Sequence, residues 1–167
     1  MPQVLKALKK DNKGATAIES AFVAPVLFLL IFGILEFGLM LTTQSSLEGA
    51  ATAAARDYKA AAREGNVGAD IGAIHDLIIH HGHGLIDPAN LRVTALELSS
   101  GWGGAEMADD VDEDAGVAGT VGQIIQYQLF YDYSFYTPVL SNLLAEDNGM
   151  ILLRASTVVQ NEPKIGG

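Results

Sequence analysis

The sequence predicts an α+β protein, a long N-terminal transmembrane helix continuing into a small domain with an antiparallel β-sheet. Three observations carry that expectation. From Ala21 to Leu41 runs AFVAPVLFLLIFGILEFGLML, 21 residues with a single charge, Glu36. At about 1.5 Å per residue this stretch reaches roughly 31 Å, enough to cross a hydrocarbon core of about 30 Å. Residues 42–64 then continue in helical, alanine-rich sequence without proline. Beyond them, short apolar segments with period-two patterning lie between turn residues, the mark of strands in a small sheet.

Composition sets the outer limits. The chain has 167 residues, 49% hydrophobic and 18% charged, with no cysteine and a formal net charge of −10. That length suits one compact domain plus an appendage. Without cysteine there is no disulfide framework, redox pair, thiolate zinc site or cysteine nucleophile. The acidic balance argues against nucleic acid as a partner, and the apolar content excludes intrinsic disorder. The charge is also uneven. Residues 1–14 hold Lys6, Lys9, Lys10 and Lys13 against Asp11 and sum to +3, whereas residues 15–167 sum to −13. Lysines before the apolar run and few basic residues after it place residues 1–14 in the cytoplasm and the acidic body outside.

The apolar run is too long for the 7–15-residue core of a cleaved secretory signal, and too uniformly apolar for a buried helix of a soluble protein. Pro25 falls near its start, where neighbours or the interface can satisfy the freed carbonyl. From Thr42 to Glu64, Leu47, Ala50, Ala51, Ala54, Tyr58, Ala61 and Ala62 recur at helical spacing. This thin stripe permits close packing against a sheet or another helix. Gly65-Asn66 is the expected stop. The division is therefore a leader at 1–14, a long helix at 15–64 with its span at about 21–41, and an extracytoplasmic α+β domain at 65–167.

Within that domain, Asp70 to His81 reads as a second helix capped by Asp70 and ended by Gly82, with Ile71, Ile74, Leu77 and Ile78 on one face. Leu91 to Leu98 alternates weakly and reads as a strand. Ser99 to Gly119 is an acidic, glycine-rich loop. Gln123 to Tyr136 is the strongest strand, with Ile125, Tyr127, Leu129, Tyr131, Tyr133 and Phe135 on one face. Thr137-Pro138 signals a short helix carrying Val139, Leu140, Leu143 and Leu144. Met150 to Gln160 forms the last strand, ended by Pro163. An antiparallel sheet in an α+β body follows.

The junction before the apolar run carries the functional signal. Lys13-Gly14-Ala15-Thr16-Ala17-Ile18-Glu19 sets a basic leader, a glycine, a small residue and a carboxylate five places beyond the glycine. This resembles the class III signal of type IV pilins and pseudopilins. The resemblance implies cleavage between Gly14 and Ala15 by a prepilin peptidase on the cytoplasmic side, with Glu19 as the fifth mature residue. Small residues there let a peptidase approach the backbone closely. The stretch GATAIESAFVAPVLFLLIFGILEFG, the TAAAR segment and the closing ASTVVQNEP narrow the resemblance to the TadE-like minor pseudopilins of the tight-adherence (Tad, or Flp) pilus. Major Flp pilins usually carry Glu-Tyr at the signal, where this chain has Glu19-Ser20, which favours a minor subunit. Residues 65–120 carry no such likeness.

The resemblance implies a structural subunit rather than an enzyme, held in the bacterial inner membrane and taking part in pilus assembly or initiation, and so in adhesion and biofilm formation. The implied partners are other minor pilins, the major Flp pilin, the prepilin peptidase, the inner-membrane platform and membrane lipid. It also implies that Glu19 neutralises a mature N-terminal amine during assembly, an amine and a carboxylate each relieving the other's desolvation. The plain alternative is a solvated glutamate at headgroup level. Glu36 falls inside the hydrocarbon by arithmetic, where a carboxylate faces a partner or polar cavity. Tilt could equally bring it to the far interface.

Two weaker clusters point to metals. His75, His80, His81 and His83 lie within nine residues, but at spacings of 5, 1 and 2 rather than the i,i+4 pair zinc takes on a helix. A solvated helix end is the competing reading. Asp110, Asp112 and Asp114, followed by Gly116, imitate the first half of a calcium loop. The glycine falls one place late, and position 12 would be Val121 instead of glutamate. Calcium is thus the one weak cofactor candidate, against a solvated acidic loop. No GxSxG, P-loop, dinucleotide turn or HExxH is present. The rival function is a membrane-anchored periplasmic metal-binding protein or hydrolase that keeps its leader.

Overall fold

The computed structural model describes residues 13–64, 70–98, 114–116, 123–145 and 149–160. The chain divides into two compact units, Met1–Gly38 and Leu39–Gly167. Helix α1, Lys13–Glu64, is 52 residues long with Pro25 inside it. It begins two residues before the expected 15. The expected stop at Gly65-Asn66 lies outside the described residues.

In the first unit the apolar side chains point outward. Phe22 is 76% exposed, and Val26, Ile34 and Leu35 are exposed as well. Leaving such side chains uncovered in water forfeits about 1.5–3 kcal/mol for each large one, so this surface fits an apolar solvent.

The second unit, here called the head, contains α1 from Leu39, helix α2 (Ile71–His81), a 3-10 turn (Pro88–Asn90), strand β1 (Leu91–Glu97), the two-residue strand β2 (Ala115–Gly116), strand β3 (Ile124–Ser134), helix α3 (Pro138–Leu144) and strand β4 (Met150–Gln160). The sheet runs β2-β1-β3-β4, with β1, β3 and β4 antiparallel. Its register sets Val93, Leu129 and Ala155 in one row and Leu91, Tyr131 and Leu153 in the next of the same face. On that face Leu47, Ala50, Ala51, Ala54, Ala55 and Tyr58 of α1 join Ile74 and Ile78 of α2 in one core. The alanine stripe does what its small side chains permit, bringing a helix close to the sheet. Gln44 Nε2 donates to the Arg154 carbonyl at 2.8 Å, tying α1 to β4 directly.

One local feature differs from expectation, and two others could not be read from the sequence. The stretch expected as a loop at 99–119 contains β2, which pairs parallel with β1 through Thr94–Ala115 and Ala95–Gly116. Gly116 has φ +96°, and a Cβ there would meet the Ala95 carbonyl oxygen at 2.1 Å, so only glycine fits this approach. Gly82 ends α2 as expected, with its backbone in the right-handed region (φ −72°). A Cβ at Gly82 would lie 2.8 Å from Ile86 Cδ1, so Ile86 would have to shift to admit a side chain there. Finally, β3 is buried on both faces: Gln126, Gln128 and Phe130 are as enclosed as Tyr127 and Leu129. On this second face Arg92 forks onto both oxygens of Asp132, and the Arg154 guanidinium lies 6.0 Å from the Phe130 ring centre.

Tyr58 and Tyr127 meet edge to face at 6.5 Å in the core. Burial, and then the neighbouring Tyr58, push the Tyr127 phenol far above its ordinary value. Tyr58 is raised by burial and then by the charge of Asp70. The folded state thus keeps these protons where the unfolded chain releases them. The stabilisation is complete below about pH 10 and is lost as pH rises above it, by at most about 1.4 kcal/mol per pH unit per phenol. Tyr127→Phe should therefore lose less melting temperature than the parent between about pH 8 and about pH 11. Equal losses in a thermal melt would count against Tyr127 as the titrating group.

Candidate functional site

The expected processing junction lies in the first turns of α1. Gly14 and Glu19 are both exposed, and a Cβ at Gly14 would meet nothing within 4 Å. Five helical residues amount to about 140° of rotation, so Gly14 and Glu19 occupy different faces.

Glu36 behaves in the opposite way. Its neighbours Ile34, Leu35 and Phe37 are exposed, yet Glu36 is only 3% exposed. The protein itself covers the one carboxylate of the apolar run. At about 1.5 Å per residue, Glu19 and Glu36 lie about 25 Å apart along the helix.

The four histidines are not gathered. His75 has Asp76 at 4.0 Å, and His80 and His81 meet edge to face. His81 Nε2 lies 2.8 Å from Asp57 Oδ2, a contact that joins α2 to α1. His83 sits beyond the helix at φ +51°. Among the described residues no three His, Asp or Glu side chains converge on a point that could hold a metal. Asp110 and Asp112 lie outside the described residues. Asp114 accepts the Val93 backbone N–H at 2.7 Å, so one of its oxygens caps the edge of β1 beside β2.

Sequence reasoning overlooked the Asp57–His81 contact and the Arg92–Asp132 pair. Complementary charges are visible in the sequence, but their pairing across 24 and 40 residues depends on the fold.

One described helix is long and apolar enough to cross a membrane, and it feeds a small α+β head. These features fit the class of proteins held by an N-terminal membrane anchor. Residues 14–56 match the family model described as TadE-like protein. The chain thus carries a TadE-like region over about a quarter of its length, a likeness that supports a Tad pilus-associated protein. The matched residues include Gly14, Ala15, Glu19 and Glu36 and most of the alanine stripe, but none of the sheet. Comparison with curated proteins and with solved structures gave no match.

Proposed function

We propose that this protein is a minor pilin-type subunit of a Tad/Flp pilus. A prepilin peptidase cuts it between Gly14 and Ala15 on the cytoplasmic side, and residues 21–41 hold it in the inner membrane until assembly. The observation that carries the proposal is where the TadE-like match begins: at residue 14, the glycine that the leader pattern marks for cleavage. Exposure of Gly14 is consistent with access for a peptidase. Glu19 pairs with a mature N-terminal amine during assembly, its own or a neighbour's, since two opposite charges entering a medium of low dielectric constant each lower the other's cost. Other minor pilins, the major Flp pilin and the inner-membrane platform are the partners this role requires.

The test is the intact mass and N-terminal sequence of the protein recovered from its own cells' membranes. A chain beginning at Ala15 is expected. A chain beginning at Met1 would overturn the processing step and reduce the protein to a plain anchored head.

A further inference from the structure

The head contains a cavity of about 700 Å³ between α1, the loop after α2 and the end of β3. Its α1 wall is Leu39, Thr42 and Thr43, the residues at which the apolar run gives way to polar sequence. By its place along the helix, the cavity lies where α1 leaves the hydrocarbon. Leu85 and Tyr136 on its rim are exposed, Tyr136 by 78%, and such side chains suit headgroup level.

The walls have a definite chemistry. Tyr131, Tyr133, Phe135 and Tyr136 all line the cavity, and the Tyr133 and Phe135 rings stand at 85° with centres 5.7 Å apart, forming an aromatic corner. Asp87 is the single charged residue of the lining. Its backbone N–H donates to the Tyr131 hydroxyl at 3.3 Å, fixing the loop against the strand, and its Oδ1 accepts from the Ala89 N–H at 3.0 Å. A cavity lined by aromatic rings and one carboxylate attracts an organic ammonium and repels anions. The volume lies in the range that holds a small ligand.

We propose that this cavity binds the ammonium headgroup of a phosphatidylethanolamine molecule from the membrane that holds α1. The inference rests on the reading of α1 as an anchor. It takes that lipid as occupant because the aromatic corner and Asp87 select a cation at the height where headgroups lie.

The full chain is placed in vesicles of equal parts phosphatidylethanolamine and phosphatidylglycerol, released in mild detergent and weighed with its retained lipid by native mass spectrometry. The expected result is one retained phosphatidylethanolamine, preferred about tenfold over phosphatidylglycerol. Asp87→Asn should bring that ratio close to one. The amide oxygen of this variant still accepts the Ala89 N–H, so the loop keeps its turn. Phe135→Leu should lower the ratio severalfold while the circular dichroism spectrum is kept. Equal retention of both lipids by the parent, an unchanged ratio in Asp87→Asn, or a retained second copy without lipid would each overturn the site. Flotation of the same vesicles separates the two readings. A chain that floats without headgroup preference defeats this site alone, and one that does not float defeats the anchor.

Discussion

Gly14→Val should accumulate in the membrane at full length, its conversion to the Ala15 form slowed about a hundredfold, the scale of rate lost when reacting groups are misplaced by about 1 Å. The structure makes this a clean experiment. A side chain at Gly14 meets nothing within 4 Å, and valine is the better helix former of the two. The fold therefore has no reason to resist the change, and a processing defect reports on the peptidase's approach to the backbone. Intact mass of the membrane fraction gives the readout. Normal maturation of Gly14→Val would remove the cleavage site from the proposal. Glu19→Ala in the same experiment should mature normally, because Glu19 faces elsewhere on the helix, yet be missing from sheared pili. Its presence there at the parent's level would remove the amine-pairing role.

Phe130→Ala should destabilise the head by about 3–5 kcal/mol, comparable to the cost of Leu129→Ala at about 2–5 kcal/mol. The two residues point to opposite faces of β3, and both are fully buried. A sheet with one solvated face would make the first substitution nearly neutral. Denaturant unfolding of each variant in detergent, followed by circular dichroism, discriminates the cases. A cost below about 1 kcal/mol for Phe130→Ala would show that the second face contributes little. Part of the cost comes from Arg154, whose guanidinium loses the ring it lies against.

The contrast between those faces also shows what was legible in the sequence. Ile125, Tyr127, Leu129, Tyr131 and Tyr133 announce their face by alternation, and the structure buries all five. Nothing local marks the intervening Gln126 and Gln128 as enclosed, because the letter says polar and enclosure is a tertiary fact. Thr94 Oγ1 and Gln126 Oε1 are buried without a hydrogen-bond partner among the described residues, an environment no local pattern advertises. The long helix was legible because length and apolarity are local properties, and Asp70 was legible because its cap bond reaches only to Gly72 at 3.0 Å. Strand β2 was not, since two residues carry no period and the pairing exists only beside β1. Of the candidate site, the Gly14–Glu19 pattern lies in consecutive residues. The aromatic cavity draws on segments 39–43, 84–90 and 131–136 and appears only once the sheet forms.

The bond from Gln44 to Arg154 joins residues 110 positions apart, and it bears on the order of biogenesis. The ribosome delivers α1 first and β4 last. Until β4 arrives, β3 has one open edge, and the core face of the sheet lacks Leu153 and Ala155. Closing contacts of such separation must overcome the entropy of a long loop before they are rewarded. The head therefore completes its fold only after β4 has been made, long after α1 has left the ribosome. During that interval the exposed edge of β3 is the point at which the nascent subunit is open to mispairing or to protection by a chaperone.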